Sequence, residues 1–164
     1  MSVVDELVAR GLTIAVAESL TGGRVVASLI DTPGASKAVR GGVVAYDTVL
    51  KHTLLGVPTD LLALHGPVHP DVAIHMAAGV RTALAVGDVP ADIGIATTGV
   101  AGPDTQHGVA VGTVFLGIAI GTKVLAVELH LDGDREEIRA AAVAEALSLL
   151  EREVSEYLTE ETRE

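Results

Sequence analysis

Short apolar segments of β type alternate with helix-forming segments along the first hundred residues of this chain. Near-continuous apolar runs of this length are typical of strands buried on both faces of a sheet. Two further runs flank Gly121-Thr122 and predict a hairpin. The strands are predicted at residues 12–17, 41–46, 92–98, 109–120 and 123–131. This order predicts a three-layer α/β/α sandwich on a mixed sheet, folded as a single domain over residues 1–164.

The helical segments carry capping residues at their expected ends. Asp47 and Asp134 stand at N-cap positions, and Pro70 stands at the first position of a helix that Gly87 is expected to close. An acidic tail from about residue 158 is expected to fray. Helices are predicted at residues 2–10, 22–30, 47–55, 68–87 and 134–157, with one further turn from 59 or 60 and a loop at 31–36.

The composition excludes several kinds of site and argues against several kinds of partner. The chain has 164 residues, no cysteine and a formal net charge of −11, so disulfides, thiolate nucleophiles and cysteine-based metal sites are excluded. The charge argues against nucleic-acid and anionic-membrane partners, and no apolar run reaches membrane-spanning length. The six histidines lack the spacing of a metal site, so no metal and no cofactor are expected. A cytoplasmic location fits a chain without cysteine.

The segment AVAESLTGG, residues 15–23, breaks an apolar strand at Glu18-Ser19 and enters a helix through a Thr-Gly-Gly turn. Serine at such a turn can be a nucleophile beside free backbone N–H groups. Gly22 and Gly23 permit close approach of a ligand, and their N–H groups could hold an oxyanion or a phosphate. Serine is also a common helix N-cap, which is the simpler interpretation of Ser19 alone. Glu18 could act as a general acid or base, or could orient the turn.

The segment VVAYDTVLK, residues 43–51, ends an apolar strand on Tyr46 and places Lys51 on a predicted helix. In a cleft, desolvation would lower the pKa of Lys51 so that it could accept a proton, and Tyr46 could relay the proton of Ser19. The alternatives are an exposed tyrosine and a solvated lysine paired with Asp47, a pair that contributes only about 0.3–0.5 kcal/mol. Together the two segments favour a hydrolase that uses serine, tyrosine and lysine.

Two other features are weaker signals. The loop at 97–104 lacks the lysine of a P-loop and the spacing of a dinucleotide site, yet it follows a strand, where open α/β sheets bind ligands. Arg135 and Arg139 are expected on a solvated helix face, paired with Glu136 and Glu137.

Nine ordered motifs resemble the C-terminal domain family of competence/damage-inducible protein CinA, the nicotinamide-nucleotide amidohydrolases. None is specific alone, but their order over about residues 5–150 is highly specific. The motifs are AESLTGG (17–23), DTPGAS (31–36), GGVVAY with a following lysine (41–51), LLGV (54–57), HGPV (65–68), MAAG (76–79), TGVAGPD (98–104), VGTV (111–114) and GDR (133–135).

The resemblance implies a compact α/β/α domain that deamidates nicotinamide mononucleotide to nicotinate mononucleotide and ammonia. It places the family's catalytic serine, tyrosine and lysine on Ser19, Tyr46 and Lys51. The mononucleotide is the expected partner, a homo-oligomer is left open, and the family's separate molybdopterin-binding-like domain is not expected. The residues expected to contact substrate are Glu18, Thr21, Gly22, Gly23, Thr98, Gly99 and Gly102.

The chain departs from the family pattern at four places. Leu20 replaces the usual cysteine, Asp47-Thr48 the usual Ser-Asn, His69-Pro70 the usual Ser-Glu, and Val109-Ala110 the usual Lys-Pro. The last three changes are expected to alter substrate contacts. An amidase for another small amide and a non-catalytic nucleotide-binding or regulatory module are therefore kept as alternatives.

Overall fold

The computed structural model describes residues 2–161, which form one five-stranded mixed sheet with helices on both faces. The strands are β1 (Ile14–Glu18), β2 (Val39–Val44), β3 (Ile93–Gly99), β4 (Thr113–Ile120) and β5 (Lys123–His130). Their order is β2-β1-β3-β4-β5, with β1 parallel to β2 and β3, and with β4 antiparallel to β3 and β5. β4 begins later than predicted because residues 106–109 form a separate turn. The predicted α/β/α sandwich on a mixed sheet is confirmed.

The helices α3 and α5 start at the residues that the sequence predicts. Asp47 caps α3 and Pro70 is the first residue of α5, both as predicted. None of the described helices is both long enough and apolar enough to cross a bilayer. The helices are α1 (Val3–Arg10), α2 (Arg24–Ile30), α3 (Thr48–Thr53), α4 (Thr59–His65), α5 (Pro70–Ala83) and α6 (Arg135–Glu161), with a short 3-10 helix at Ala35–Lys37 inside the loop predicted at 31–36.

Two helix ends differ most from the prediction. α5 ends at Ala83, because the chain then turns back on itself at residues 86–89, so Gly87 belongs to that turn. α6 continues to Glu161, beyond its predicted end at residue 157, and the expected fraying of the acidic tail stays a prediction. The remainder of the acidic tail, residues 162–164, lies outside the described residues.

The core has a layer on each face of the sheet, and both layers are almost entirely aliphatic. On one face, Leu7 of α1 and Ile138 of α6 share a buried cluster with Val16 of β1. On the other face, Met76 of α5 shares a second cluster with Ala17 of β1. β3 is buried along nearly its whole length, as its continuous apolar sequence predicts.

Glycines in the sheet let α5 pack very close to it. Gly94 of β3 and Gly117 of β4 lie beneath the helix, and a Cβ atom on either would overlap a carbonyl oxygen of α5. The oxygens belong to Ala77 and Ala73 respectively. The two glycines are therefore required by close approach and not by turn conformation.

The carboxyl ends of the three parallel strands lie along one edge of the sheet. Glu18 ends β1, Val44 ends β2 and Gly99 ends β3. In an open α/β sheet, ligands bind beyond this edge. The loops that follow these strands are therefore where a site is expected, and they carry Ser19, Tyr46 and Thr98–Gly102.

Candidate active site

Ser19 is the first residue after β1, in the tight turn that leads to α2. Its backbone N–H donates to the carbonyl oxygen of Thr97 at 3.1 Å, and its own carbonyl accepts from the N–H of Gly22 at 3.1 Å. The first bond ties the turn to β3 and the second closes it. Ser19 is not the N-cap of α2, because Gly23 holds that position. The simpler interpretation of this serine is therefore wrong.

Lys51 approaches Ser19 from α3. Its Nζ lies 3.1 Å from Ser19 Oγ, 2.7 Å from the carbonyl oxygen of Ala45 and 3.5 Å from that of Tyr46. Asp47 starts α3 immediately after this segment, so a single helical turn brings Lys51 back over it. The side chain is 1% exposed, so the alternative of a solvated lysine is wrong.

Burial changes the protonation of this amine. It lowers the pKa of Lys51 from 10.5 to about 8, while the carboxylate of Asp47 opposes the change. The ammonium form has three N–H donors, which match the three oxygen atoms around Nζ. Once a proton is lost, the two carbonyl oxygens, which can only accept, hold the two remaining hydrogens. The lone pair then faces Ser19 Oγ, as a general base requires.

A cavity of about 300 Å³ opens beside Ser19 and Lys51, at the lower end of the range for ligand pockets. Thr98, Gly99 and Gly102, which were predicted to contact substrate, lie in its wall. The hydroxyl of Thr98 donates to a backbone carbonyl at 2.6 Å, so it can only accept from a ligand. The wall consists of Ser19, Leu20, Tyr46, Lys51, Pro67, Val68, residues 98–106 and Arg135.

Four residues predicted to contact substrate, Glu18, Thr21, Gly22 and Gly23, do not line this cavity. Glu18 is fully buried, and its carboxylate accepts from the hydroxyl of Thr21 at 2.6 Å and from the N–H of Gly23 at 3.0 Å. The N–H of Gly22 is bonded to Ser19. The expected anion site is thus occupied by the protein's own groups, which corrects the roles expected for these four residues.

Tyr46 lies in the cavity wall but does not bond to Ser19. Its hydroxyl accepts a hydrogen bond from Nη2 of Arg135 at 3.1 Å, and its side chain is 61% exposed. Nη1 of the same arginine donates to the carbonyl oxygen of Gly102 at 2.7 Å. Lys51, and not Tyr46, is therefore the group in contact with the serine in this structure.

Arg135 and Arg139 are placed differently from the expectation of a solvated face. Arg135 spans the cavity wall, as described above, and Nε of Arg139 donates to the carbonyl oxygen of Leu20 at 2.7 Å. Only Arg139 is also paired with Glu136, at 3.5 Å. The GDR motif at residues 133–135 marks the position of Arg135 in the sequence, but it does not indicate that the side chain reaches Tyr46 and Gly102.

Several backbone N–H groups on the cavity wall have no hydrogen-bond partner within residues 2–161. They include those of Leu20, directly after the serine, and of Ala101 and Gly102 in the loop after β3. Unpartnered N–H groups beside a nucleophile can stabilise an oxyanion, and a second set near a cation can bind a phosphate.

The positions that depart from the family pattern lie mostly outside the cavity. Leu20 is in its wall, but neither Asp47 and Thr48 nor the other two pairs belong to it. His69 instead caps α5 and stacks on His65 with ring centroids 4.2 Å apart. The described residues contain no group of three or more histidine, aspartate or glutamate side chains placed to hold a metal ion.

The chain matches the CinA C-terminal domain family over residues 1–154. It is 47% identical over 150 residues to a CinA-like protein of Frankia casuarinae, which covers 92% of this chain and 34% of that protein. A CinA-like protein of Gemmatimonas aurantiaca is 44% identical over 150 residues, covering 91% and 34%. The chain thus spans about a third of the length of these curated relatives.

Solved structures show the same similarity. A competence-damaged protein (CinA) superfamily protein from Klebsiella pneumoniae superposes with a TM-score of 0.86 at 30% identity, over 94% of each chain. One from Escherichia coli gives 0.82 at 32% identity, over 89% of this chain and 83% of that one. The family match, the relatives and the shared fold agree with the resemblance found in the motifs, and the chain belongs to the CinA C-terminal domain family.

Proposed function

We propose that this protein is a serine amidohydrolase that deamidates nicotinamide mononucleotide to nicotinate mononucleotide and ammonia. The observation that carries the proposal is the contact between Nζ of Lys51 and Oγ of Ser19, in a cavity at the carboxyl edge of the parallel strands. A buried lysine with a lowered pKa is a sufficient base for a serine hydroxyl. A solely regulatory nucleotide-binding module would have no need for this pair.

In the proposed reaction, Ser19 Oγ attacks the carboxamide carbon while neutral Lys51 accepts the hydroxyl proton. The C–N bond then breaks, and Lys51 returns the proton to the departing ammonia. Water, deprotonated by the same amine, hydrolyses the acyl-enzyme and releases the nicotinate. The N–H of Leu20 is the nearest candidate in sequence to hold the oxyanion, since the N–H of Ser19 is bonded to Thr97.

The phosphate of the mononucleotide is assigned to the part of the wall formed by Arg135 and the loop after β3. There the guanidinium of Arg135 lies against the carbonyl of Gly102, next to the unpartnered N–H groups of Ala101 and Gly102. Arginine and free N–H groups together form a strong phosphate site. The role of Tyr46 stays a prediction, since its hydroxyl accepts from Arg135 and makes no hydrogen bond to Ser19 or Lys51.

The departures from the family pattern do not weaken this choice of substrate. The replaced positions Thr48, His69, Pro70, Val109 and Ala110 are absent from the cavity wall. The expectation that they alter substrate contacts thus receives no support from the wall of this cavity. Another small amide remains the second candidate because Leu20, which replaces the usual cysteine, does lie in the cavity wall.

The decisive experiment measures ammonia release from nicotinamide mononucleotide by the parent and by Ser19→Ala. We expect the variant to lose at least about 1,000-fold in kcat while its circular dichroism and Tm stay close to the parent's. The matched control is Ser28→Ala, which removes a serine of α2 whose hydroxyl bonds only within that helix. Parent-like turnover by Ser19→Ala would rule out this serine as the nucleophile.

The phosphate assignment is tested with nicotinamide riboside and Arg135→Ala. Charge-assisted hydrogen bonds of this kind contribute about 1.5–3 kcal/mol each, so kcat/KM should be at least about 100-fold lower for the riboside. Arg135→Ala should impair only the mononucleotide reaction, and Arg10→Ala, an exposed arginine at the end of α1, should impair neither. Equal losses on both substrates would place the role of Arg135 elsewhere.

A further inference from the structure

Beneath the candidate active site lies a buried hydrogen-bond network centred on Glu18. This carboxylate is fully buried and precedes Ser19 in the chain. Oε2 accepts from the Thr21 hydroxyl at 2.6 Å and from the N–H groups of Gly23 and Val25 at 3.0 and 3.1 Å. Oε1 accepts from the N–H of Val26 at 2.9 Å. Both oxygens are therefore used to satisfy the first turn of α2.

The network returns to the serine through two threonine hydroxyls. The hydroxyls of Thr21 and Thr97 lie 2.8 Å apart, and the backbone N–H of Ser19 is 3.4 Å from Thr97 Oγ1. Because the single hydrogen of Thr21 goes to Glu18, Thr97 must donate to Thr21. Bonds therefore run in one direction, from Ser19 N–H through both threonines to Glu18. The hydrogen bonds in such a series polarise and strengthen one another when they are buried.

We propose that Glu18 is a positioning residue that fixes the backbone of the Ser19 turn, so that Oγ stays within hydrogen-bond distance of Lys51. This inference rests on the proposed function, because it assigns Glu18 a role through Ser19 and not through substrate. The negative charge of the carboxylate also interacts favourably with the positive N-terminal end of α2. The N-terminus of α2 is thereby closed to an anionic group of the substrate.

A neutral amide at residue 18 would break this arrangement while changing no atom in the cavity. The NH2 group of glutamine is a donor, and one of the four donors around Glu18 would then face another donor. The turn would have to shift to relieve this, and Oγ of Ser19 would move with it. Misplacement of a reacting group by about 1 Å costs on the order of 100-fold in rate.

The test measures two reactions of Glu18→Gln and of the parent. The first is deamidation of nicotinamide mononucleotide, and the second is labelling by phenylmethylsulfonyl fluoride, followed by mass spectrometry. In the labelling, the bond from Ser19 Oγ to sulfur forms, the S–F bond breaks, fluoride leaves and Lys51 takes the hydroxyl proton. The control is Asp92→Asn, since Asp92 is a part-buried carboxylate that accepts from the N–H and hydroxyl of Thr13 at 2.7 Å, at the opposite end of the same strands.

We expect Glu18→Gln to lose about 100-fold in kcat and in labelling rate, with KM changed less than threefold and with the pH midpoint of the rate unmoved. Asp92→Asn should have a lower Tm than the parent but should keep the parent's rates of deamidation and of labelling. Parent-like rates in Glu18→Gln would overturn the proposal, as would equal losses in Asp92→Asn, which would indicate a general effect on stability. Labelling of the parent without deamidation would overturn the proposed function alone, and absence of both would overturn both.

A gentler pair of variants keeps the proposal testable if Glu18→Gln does not fold. Thr21→Val removes one hydroxyl from the network at nearly constant volume, and Thr21→Ser restores it. We expect the valine variant to lose about tenfold in labelling rate, from the same misalignment in smaller degree, and the serine variant to recover most of that loss. Equal rates in the two variants would overturn the proposal.

Discussion

At the scale of single residues, the buried amine of Lys51 decides how the site responds to pH. Burial lowers its pKa to about 8, and only the neutral form can accept the proton of Ser19. The rate of acylation should therefore rise with pH through about 8 and level off above it. Single-turnover deamidation between neutral and mildly alkaline pH measures this limb. A flat profile across this range would mean that Lys51 is not the base.

Two variants separate the base from a merely charged group. Lys51→Arg should be nearly as inactive as Lys51→Ala, because a guanidinium stays protonated at these pH values. Asp47→Asn keeps a good N-cap for α3 but removes the carboxylate that raises the Lys51 pKa. Its pH limb should therefore move to lower pH. An active arginine variant would reduce Lys51 to an electrostatic role.

At the scale of elements, the contact between α5 and the sheet depends on two glycines. Gly94→Ala places a methyl group against the backbone of α5 at Ala77, and backbone cannot give way cheaply. We expect a loss of about 3 kcal/mol or more in the free energy of unfolding, measured by urea denaturation. Gly87→Ala is the control, because it has open space around it and only a left-handed φ of 57°. It should cost about 1 kcal/mol, and equal losses would contradict the packing argument.

The elements themselves could be predicted from the sequence, whereas several contacts between them could not. Strand β1 and the Ser19 turn follow from an apolar run that meets Thr-Gly-Gly, which is a local signal. The bond of Arg135 to Tyr46 joins residues 89 positions apart, and no pattern along α6 indicates which way that side chain turns. For Glu18 the sequence left two roles open, a general acid or base and a residue that orients the turn. Its burial depends on α2 presenting N–H groups to it, which only the folded turn brings together.

At the scale of the whole molecule, the net charge of −11 opposes the approach of a phosphorylated substrate. This long-range field is screened over about 30 Å at 0.01 M salt and about 8 Å at 0.15 M, whereas Arg135 acts at contact distance. The value of kcat/KM for the mononucleotide should therefore rise about twofold as the salt concentration increases from 0.01 M to 0.15 M. The uncharged riboside provides the control and should show little change. A decrease for the mononucleotide would show that local cations dominate its approach.

The central place of β1 has a consequence for how the protein folds. β1 lies between β2 and β3, and its pairing with β3 joins parts of the chain 79 residues apart, as in the bonds between Thr13 and Asp92. Such non-local pairing forms slowly, because a long loop must close before any contact compensates for it. The backbone N–H of Ser19 can donate to the carbonyl oxygen of Thr97 only when that loop has closed. A newly made or partly folded chain therefore lacks the bond that positions Ser19, and the proposed hydrolysis should begin only with the completed sheet.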